Sequence, residues 1–342
     1  MNISQSSSMA KNSTKVKRAV TLIALFLLLF VSFFVALSLG ASDASVTDAI
    51  TALFNGNTDS TDLKIILHVR LPRILGALLA GAALAVSGII IQAVLQNPMA
   101  APNLIGVNAG SGFFVIIAMA IMPRFIGYIP LAAFLGALAA ALIIYAVSAI
   151  TGAGRVSITL VGIAIGSILT AGINTVKTLF PDSVYDVSGF LIGGLSSTDL
   201  NSVIPAAIMI IPALILTCIL SRGLDALSLG SGVARGIGVN VPRARLLWLT
   251  LAAMLAGAAV SFSGLIGFVG LIVPHIMRRL VGGSHRYLIP SSILGGSLFL
   301  LVTDTLARTL FAPYELPVGI ILSLLGGPFF IFLILTDRRA KK

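Results

Sequence analysis

Three histidines, one cysteine and eleven carboxylates are the side chains of this 342-residue chain best suited to metal binding or to acid–base work near neutral pH. His68, His275 and His285 are dispersed, with no carboxylate or cysteine at ligand spacing, so no metal-ligand cluster is expected. Cys218 stands alone in an apolar run, which excludes a disulfide framework or a cysteine-based metal site within one chain. No G-x-x-x-x-G-K-[ST] occurs, so there is no Walker A loop to cradle ATP phosphates. Gly230-Ser231-Gly232 with Gly236 looks like a dinucleotide fingerprint, but its third glycine comes one residue late and no strand precedes it. The chain is therefore not expected to be an enzyme, nor to bind a cofactor or metal of its own.

The other notable charges sit in apolar surroundings. Asp304 and Arg308 are four residues apart, on one face of a helix. A carboxylate inside a membrane span is a functional candidate, and a local ion pair with Arg308 is the simpler account of it. Arg70, Arg73 and Arg308 each border an apolar run.

The elements that position these residues are membrane spans. Hydrophobic residues make up 58% of the chain and charged residues only 10%, where a soluble domain carries about a quarter. Such a chain cannot cover a water-facing surface, and its 34 glycines suit close helix packing in lipid. Apolar runs long enough to span, or nearly so, lie at 19–40, 73–96, 104–122, 128–150, 158–180, 202–221, 246–264, 267–281, 291–311 and 317–336. The run at 267–281 is short and holds Pro274, and only Gly264-Leu265-Ile266-Gly267 separates it from its predecessor, which predicts a tight reversal. The basic N-terminus before 19–40 is like a signal peptide, but the run is too long for one and Ala41-Ser42-Asp43 is a poor cleavage site. Residues 1–18 and 337–342 are expected to be cytoplasmic tails flanking a membrane domain over 19–336.

Placing both termini in the cytoplasm makes a testable charge pattern. Lys11, Lys15, Lys17, Arg18, Arg155, Arg222, Arg235, Arg243, Arg245, Arg278, Arg279, Arg286, Arg338, Arg339, Lys341 and Lys342 then fall inside. Only Lys64, Arg70, Arg73, Arg124, Lys177 and Arg308 fall outside, as the positive-inside rule requires. The formal charge of +11 is thus a topology signal, and its scatter over many loops excludes a nucleic-acid face. Residues 79–90 (LAGAALAVSGII) and 255–266 (LAGAAVSFSGLI) form an internal repeat, each followed ten residues after its last glycine by a proline, Pro98 or Pro274. An odd separation of five spans makes the repeat inverted, a common plan in transporters.

Several ordered motifs carry a family resemblance. Arg70-Leu71-Pro72-Arg73, then Gln96-Asn97-Pro98-Met99-Ala100-Ala101-Pro102 and Leu104-Ile105-Gly106-Val107, are similar to the FecCD family. So are SGLIGFVGLIVPHIMR at 263–278, Gly283-Ser284-His285-Arg286, TDTLAR at 303–308, ELPVGI at 315–320 and GGPFF at 326–330. The resemblance implies an all-α polytopic fold like the cobalamin-importer permease, with about ten transmembrane helices. It implies the membrane subunit of an ABC importer for an iron chelate, with haem and cobalamin as alternative cargoes, in a bacterial cytoplasmic membrane. The partners implied are two ATPase subunits, which would hold the ATP and Mg, an extracytoplasmic binding protein, and a second permease copy or paralogue.

The resemblance also implies sites. Arg70, Arg73 and Arg308 would receive acidic side chains of the binding protein, a task suited to the bidentate guanidinium. Without the resemblance, snorkelling to lipid phosphate accounts for them equally. The stretch 222–245, with Leu229, Gly230, Ala234, Arg235, Gly238 and Val239, would be the ATPase coupling loop. Its two short helices would have the second starting at Pro242. Ser231, Gly232 and Ala101 stand where the family often has acidic residues. Asn97 and Met99 would narrow the cytoplasmic mouth of the path, and Asn97-Pro98 would stop the second span. Polar residues Thr159, Ser167, Thr170, Asn174 and Thr175 make the fifth span mildly polar, which suits a large chelate better than a bare ion. An ion-coupled secondary transporter is the rival class; it would need intramembrane ionisable groups, for which Asp304 is the candidate.

Overall fold

With no water in the hydrocarbon core, a chain this apolar can satisfy its backbone only through helices or a closed barrel. The computed structural model describes residues 3–40, 44–57, 59–102, 106–122, 129–150, 155–181 and 185–340, and all regular structure among them is helical. Ala41-Ser42-Asp43, Leu104-Ile105, Arg124, Lys341 and Lys342 lie outside the described residues, as do the side chains of Lys11, Arg338, Arg339 and 155–157. In chain order the helices are α1 (Ile3–Ser38), α2 (Val46–Phe54), α3 (Thr61–Ile65), α4 (Leu71–Leu95), α5 (Val107–Ile121), α6 (Ile129–Ile150), α7 (Arg155–Leu179) and α8 (Tyr185–Ile192). They continue as α9 (Leu200–Ile219), α10 (Ser221–Ser228), α11 (Ser231–Gly236), α12 (Val241–Ser263), α13 (Val269–Val281), α14 (His285–Thr309) and α15 (Val318–Ala340).

Each of the ten expected apolar segments holds one helix, in the expected order. Six helical segments are long and apolar enough to cross a membrane, and shorter apolar helices occupy the segments of α5, α6 and α15. The second segment starts earlier than expected: α3, a π-helical turn at Ile66–Arg70 and α4 run on without a break. The π turn ends on Arg70, the first residue of the Arg70-Leu71-Pro72-Arg73 motif. At the other end the stop falls one residue before Asn97-Pro98. Leu95 is the last helical residue, and Gln96 takes a left-handed conformation with φ of 48°.

The core is built from α4, α12 and α14, with α6 against α5 and α12. Antiparallel packing of α4 on α12 is fixed by Ser87, whose hydroxyl donates to the Ala252 carbonyl at 2.8 Å, and by Gly76 beside Phe262. Glycines set how near the backbones come. A Cβ on Gly81 would overlap the Gly296 carbonyl, one on Gly88 the Gly270 carbonyl, and one on Gly110 the Gly136 carbonyl. No hydrophobic drive exists between helices in lipid, so close van der Waals approach is the main glue.

The inverted repeat has a structural counterpart, since α4 and α12 run in opposite directions. The two copies differ after the shared Ser-Gly. Copy one continues as helix, whereas copy two breaks at Gly264, with φ of 67°, and restarts at Val269. The expected tight reversal at 264–267 is stitched by backbone bonds from Leu265 N–H to the Phe190 carbonyl and from Gly194 N–H to the Ser263 carbonyl, both 2.9 Å. One expectation is corrected. The two short helices of the 222–245 stretch are α10 and α11, so both precede Gly238. Pro242 instead sits in the first turn of the long α12, whose N-cap is the Asn240 side chain.

Gly81→Val and Gly136→Val are expected to lower the melting temperature in detergent sharply or prevent folding, because overpacking of this kind costs about 1–3 kcal/mol or more. Gly232→Ala, with open space around its position, is expected to leave it unchanged.

Candidate functional site

The bundle has two chemically different ends. At one end α1, the π turn, α4 and α14 converge through arginines. Arg73, in the first turn of α4, donates to both carboxylate oxygens of Asp304 on α14, Nε at 2.9 Å and Nη2 at 3.1 Å. Its remaining Nη1 reaches Glu315, just before α15, at 2.6 Å. Arg70 and Arg308 serve a different purpose. Arg70 Nη1 donates to the carbonyls of Leu37 and Ser38, at 2.8 and 3.1 Å, and Arg308 donates to the carbonyl of Ala36. These are the unpaired carbonyls at the C-terminus of α1, where a cation also meets the negative end of the helix dipole. The α1 helix is thereby gripped at this end. About halfway along it, Arg18 Nε donates to the Val281 carbonyl at 2.9 Å.

The expected local pair between Asp304 and Arg308 is not what forms. Both oxygens of Asp304 are taken by Arg73, and Arg308 turns to α1. Asp304 lies too deep for the neighbouring turn alone to serve it, and a bidentate guanidinium from α4 satisfies it better. Nor do the three arginines snorkel: Arg70, Arg73 and Arg308 are 3%, 5% and 2% exposed. They line, with Gly40, Ile65, Val69 and Glu315, a cavity of about 330 Å³. Arg308 Nε is buried there without a hydrogen-bond partner. Glu315 is the member of this cluster that its sequence position, before a proline at a helix start, did not reveal.

At the opposite end lie α10 and α11. Leu229, Val233 and Ile237 are 65%, 52% and 62% exposed; Val233 lies on α11, and the other two lie in the turns that flank it. Ala234, by contrast, is fully buried, and Val239 is half-buried. Gly230 has φ of 110° and Gly238 84°, marking the turns on either side of α11. Arg235 is exposed, while Arg245 donates back to Ser231 at 2.9 Å. Asn97 is exposed and shapes its own turn, its side chain accepting from Met99 N–H at 2.9 Å; Met99 is half-buried. Two further polar contacts tie this end together. Asp225 meets His285 Nδ1 at 2.7 Å, and Gln92 Oε1 accepts from Arg278 at 2.9 Å. Asp225 and His285 are sixty residues apart, beyond any local spacing rule.

Between the two ends, α7 presents a largely exposed face. Asn108, Ser167, Thr170, Asn174 and Lys177 are among the residues lining an open cavity of about 760 Å³. Ser167 and Thr170 satisfy themselves on the carbonyls of Ile163 and Gly166, and Thr175 on that of Ala171. The face is therefore polar without strong free ligands at those hydroxyls. No group of three metal-binding side chains occurs among the described residues.

Arg73→Ala would leave Asp304 buried and unpaired, and is expected to destabilise the protein by about 3–5 kcal/mol. The pair Arg73→Met with Asp304→Leu is expected to recover most of that loss. Thermal unfolding in detergent compares the two.

The FecCD transport family description matches residues 28–336. A hemin transport system permease protein, HmuU of Yersinia pestis, is 39% identical over 90% of this chain and 94% of its own length. An Fe(3+)-citrate import system permease protein, YfmE of Bacillus subtilis, is 36% identical over 97% of this chain and 99% of its own. Among solved structures, one described as a metal-chelate type ABC transporter in an inward-facing conformation superposes with a TM-score of 0.81. It is 28% identical, covering 92% of this chain and 98% of that one. With the family matched along nearly its whole length, this chain belongs to the FecCD transport family: a multi-pass ABC-transporter permease and not an enzyme.

Proposed function

We propose that the chain carries a ferric chelate inward, receiving it from a binding protein at the arginine end and taking its drive from ATPase subunits at the α10–α11 end. The observation that carries this is the exposure of three apolar side chains, Leu229, Val233 and Ile237, on and around α11. They stand at helices too short to span, beside the basic residues that the positive-inside rule assigns to the cytoplasm. Exposed apolar side chains gathered in water mark a protein contact. Both termini are then cytoplasmic, and the arginine cavity faces outward. Two named relatives handle hemin and Fe(3+)-citrate, which supports an iron chelate as cargo. A siderophore-type ferric chelate is the first reading. Haem is the second, favoured by the 39% identity to the hemin permease.

On this reading the docking carboxylate enters the cavity of Arg70, Arg73 and Arg308, where three guanidiniums meet two carboxylates and Arg308 Nε lacks a partner. Asn97 and Met99 close the path at the cytoplasmic side. A second permease copy or a paralogue covers the open face of α7, and the chelate passes along it. ATP and Mg are held by the ATPase partner, with no cofactor on this chain.

Cysteines at Val233 and Ile237 are expected to crosslink to the ATPase in the assembled complex, and one at the buried Ala234 is not. Arg308→Glu is expected to weaken binding-protein affinity about tenfold or more, and to lower uptake of ⁵⁵Fe-labelled ferric citrate into proteoliposomes. Uptake without ATP that follows an ion gradient, or unchanged affinity in Arg308→Glu, would overturn the reading.

A further inference from the structure

Where α1 passes the link between α13 and α14, its Arg18 does not extend into water as a snorkelling side chain would. Its Nε donates to the carbonyl of Val281, the last residue of α13, at 2.9 Å, and its guanidinium lies over the Tyr287 ring of α14, 4.4 Å from the centroid. Gly282 leaves room for it, since a Cβ there would come within 3.3 Å of Arg18 Nη2. The fork is thus fixed in place, yet neither Nη group has a hydrogen-bond partner among the described residues. A second guanidinium, that of Arg286, stands 5.9 Å from the same ring. Two like charges gathered at one phenol ring repel each other, and the attraction of the ring for each offsets only part of that.

Among the described residues no carboxylate pairs with either of them. Residues 1–42 contain no aspartate or glutamate, and neither do 226–303, the stretches that supply α1, α13 and all of α14 up to Asp304. Asp225 of α10 does reach this link, but it is taken by the backbone N–H and Nδ1 of His285, at 3.0 and 2.7 Å. More cations gather instead. Lys15 and Lys17 flank Arg18 on α1, and Arg279 lies two residues before Val281; all three are exposed. Arg286 stands in the first turn of α14, at the positive end of that helix dipole. Further along α1 the surface is apolar and turned outward, with Val20, Ile23, Phe26 and Leu28 all more than half exposed. Fixed cations bordering an exposed hydrocarbon wall suit an amphiphile with an anionic head and acyl tails, and a small soluble anion would use only half of the site.

We infer that this cluster is a binding site for an anionic phospholipid, whose headgroup phosphate bridges Arg18 and Arg286 while its acyl chains lie along α1. Tyr287 orients both guanidiniums, and Lys15, Lys17 and Arg279 add attraction without fixed geometry. The lipid completes the attachment of α1, which Arg70 and Arg308 already hold at its C-terminus. The site needs neither cargo nor ATPase, so it stands or falls apart from the proposed transport function.

The test uses the full chain, purified and delipidated in a neutral detergent, with dioleoyl phosphatidylglycerol and dioleoyl phosphatidylcholine as probes. Native mass spectrometry counts the lipid retained, and thermal unfolding reads the stabilisation. Phosphatidylglycerol is expected to bind about tenfold more tightly than phosphatidylcholine and to raise the melting temperature. In the double variant Arg18→Gln with Arg286→Gln that preference is expected to shrink to about twofold or less. Arg222→Gln with Arg243→Gln removes the same charge from exposed positions at the same end but outside the cluster, and is expected to keep the preference. Arg286→Gln alone alters an exposed side chain and is expected to lower the preference about threefold, which keeps the test decisive should the double variant fail to fold. Inorganic phosphate at matched ionic strength is expected to give no stabilisation. Equal binding of the two lipids, an undiminished preference in the cluster variants, an equal loss in both double variants, or stabilisation by inorganic phosphate alone overturns the inference.

Discussion

An α-helix leaves four carbonyls unpaired at its C-terminus and four N–H groups at its N-terminus, and a bilayer supplies no water to take them. In this protein side chains from other helices take several of these groups. Arg70 and Arg308 hold the last carbonyls of α1, and Asp225 holds the first N–H of α14. Each such bond satisfies a backbone group and joins two elements distant in sequence. The polar residues of an otherwise apolar chain are therefore concentrated at the ends of the bundle, where they set which helix sits beside which.

The middle of the bundle obeys a different rule. There the contacts are those of Gly81 with Gly296, Gly88 with Gly270 and Gly110 with Gly136, backbone against backbone. Such packing is stiff because neither partner has a side chain that can yield. The consequence for dynamics is a rigid centre with polar links at each end. The links at the arginine end include a buried bidentate ion pair, costly to break. Those at the α10–α11 end are the bond from Gln96 to the Leu227 carbonyl and the contacts of a partly exposed Asp225 with His285. Motion is cheaper at the α10–α11 end, where Leu229, Val233 and Ile237 are exposed.

Much of this was legible in the sequence because hydropathy and helix length are local properties. The ten segments, the tight reversal at 264–267 and the opposed sense of the repeat all follow from residues close in the chain. The motif arginines could also be singled out, since Arg70, Arg73 and Arg308 stand on the sparsely charged side. Their partners could not. Spacing of four suggested Asp304 with Arg308, yet it is Arg73, 231 residues away, that donates to Asp304. Asp225 with His285, and Gln96 with the Leu227 carbonyl, are likewise contacts that only the packing of α4, α10 and α14 creates. The start of α11 before Gly238 was missed for a smaller reason. A proline in a first turn marks a helix start but does not say which helix, and Pro242 belongs to α12.

The ion pair also bears on how energy enters the system. An ion-coupled carrier needs an intramembrane carboxylate that is alternately open to each side and free to release its proton or cation. Asp304 is 1% exposed, with both oxygens engaged by one guanidinium. Releasing it would leave buried Arg73 with Glu315 alone and strip it of its bidentate partner, which is costly in a buried site. A group so fixed is a structural post, and it braces α4 against α14 at the end opposite α10. A brace of this kind suits a permease driven by a separate subunit, whereas a carrier powered by its own protonation needs its carboxylate free.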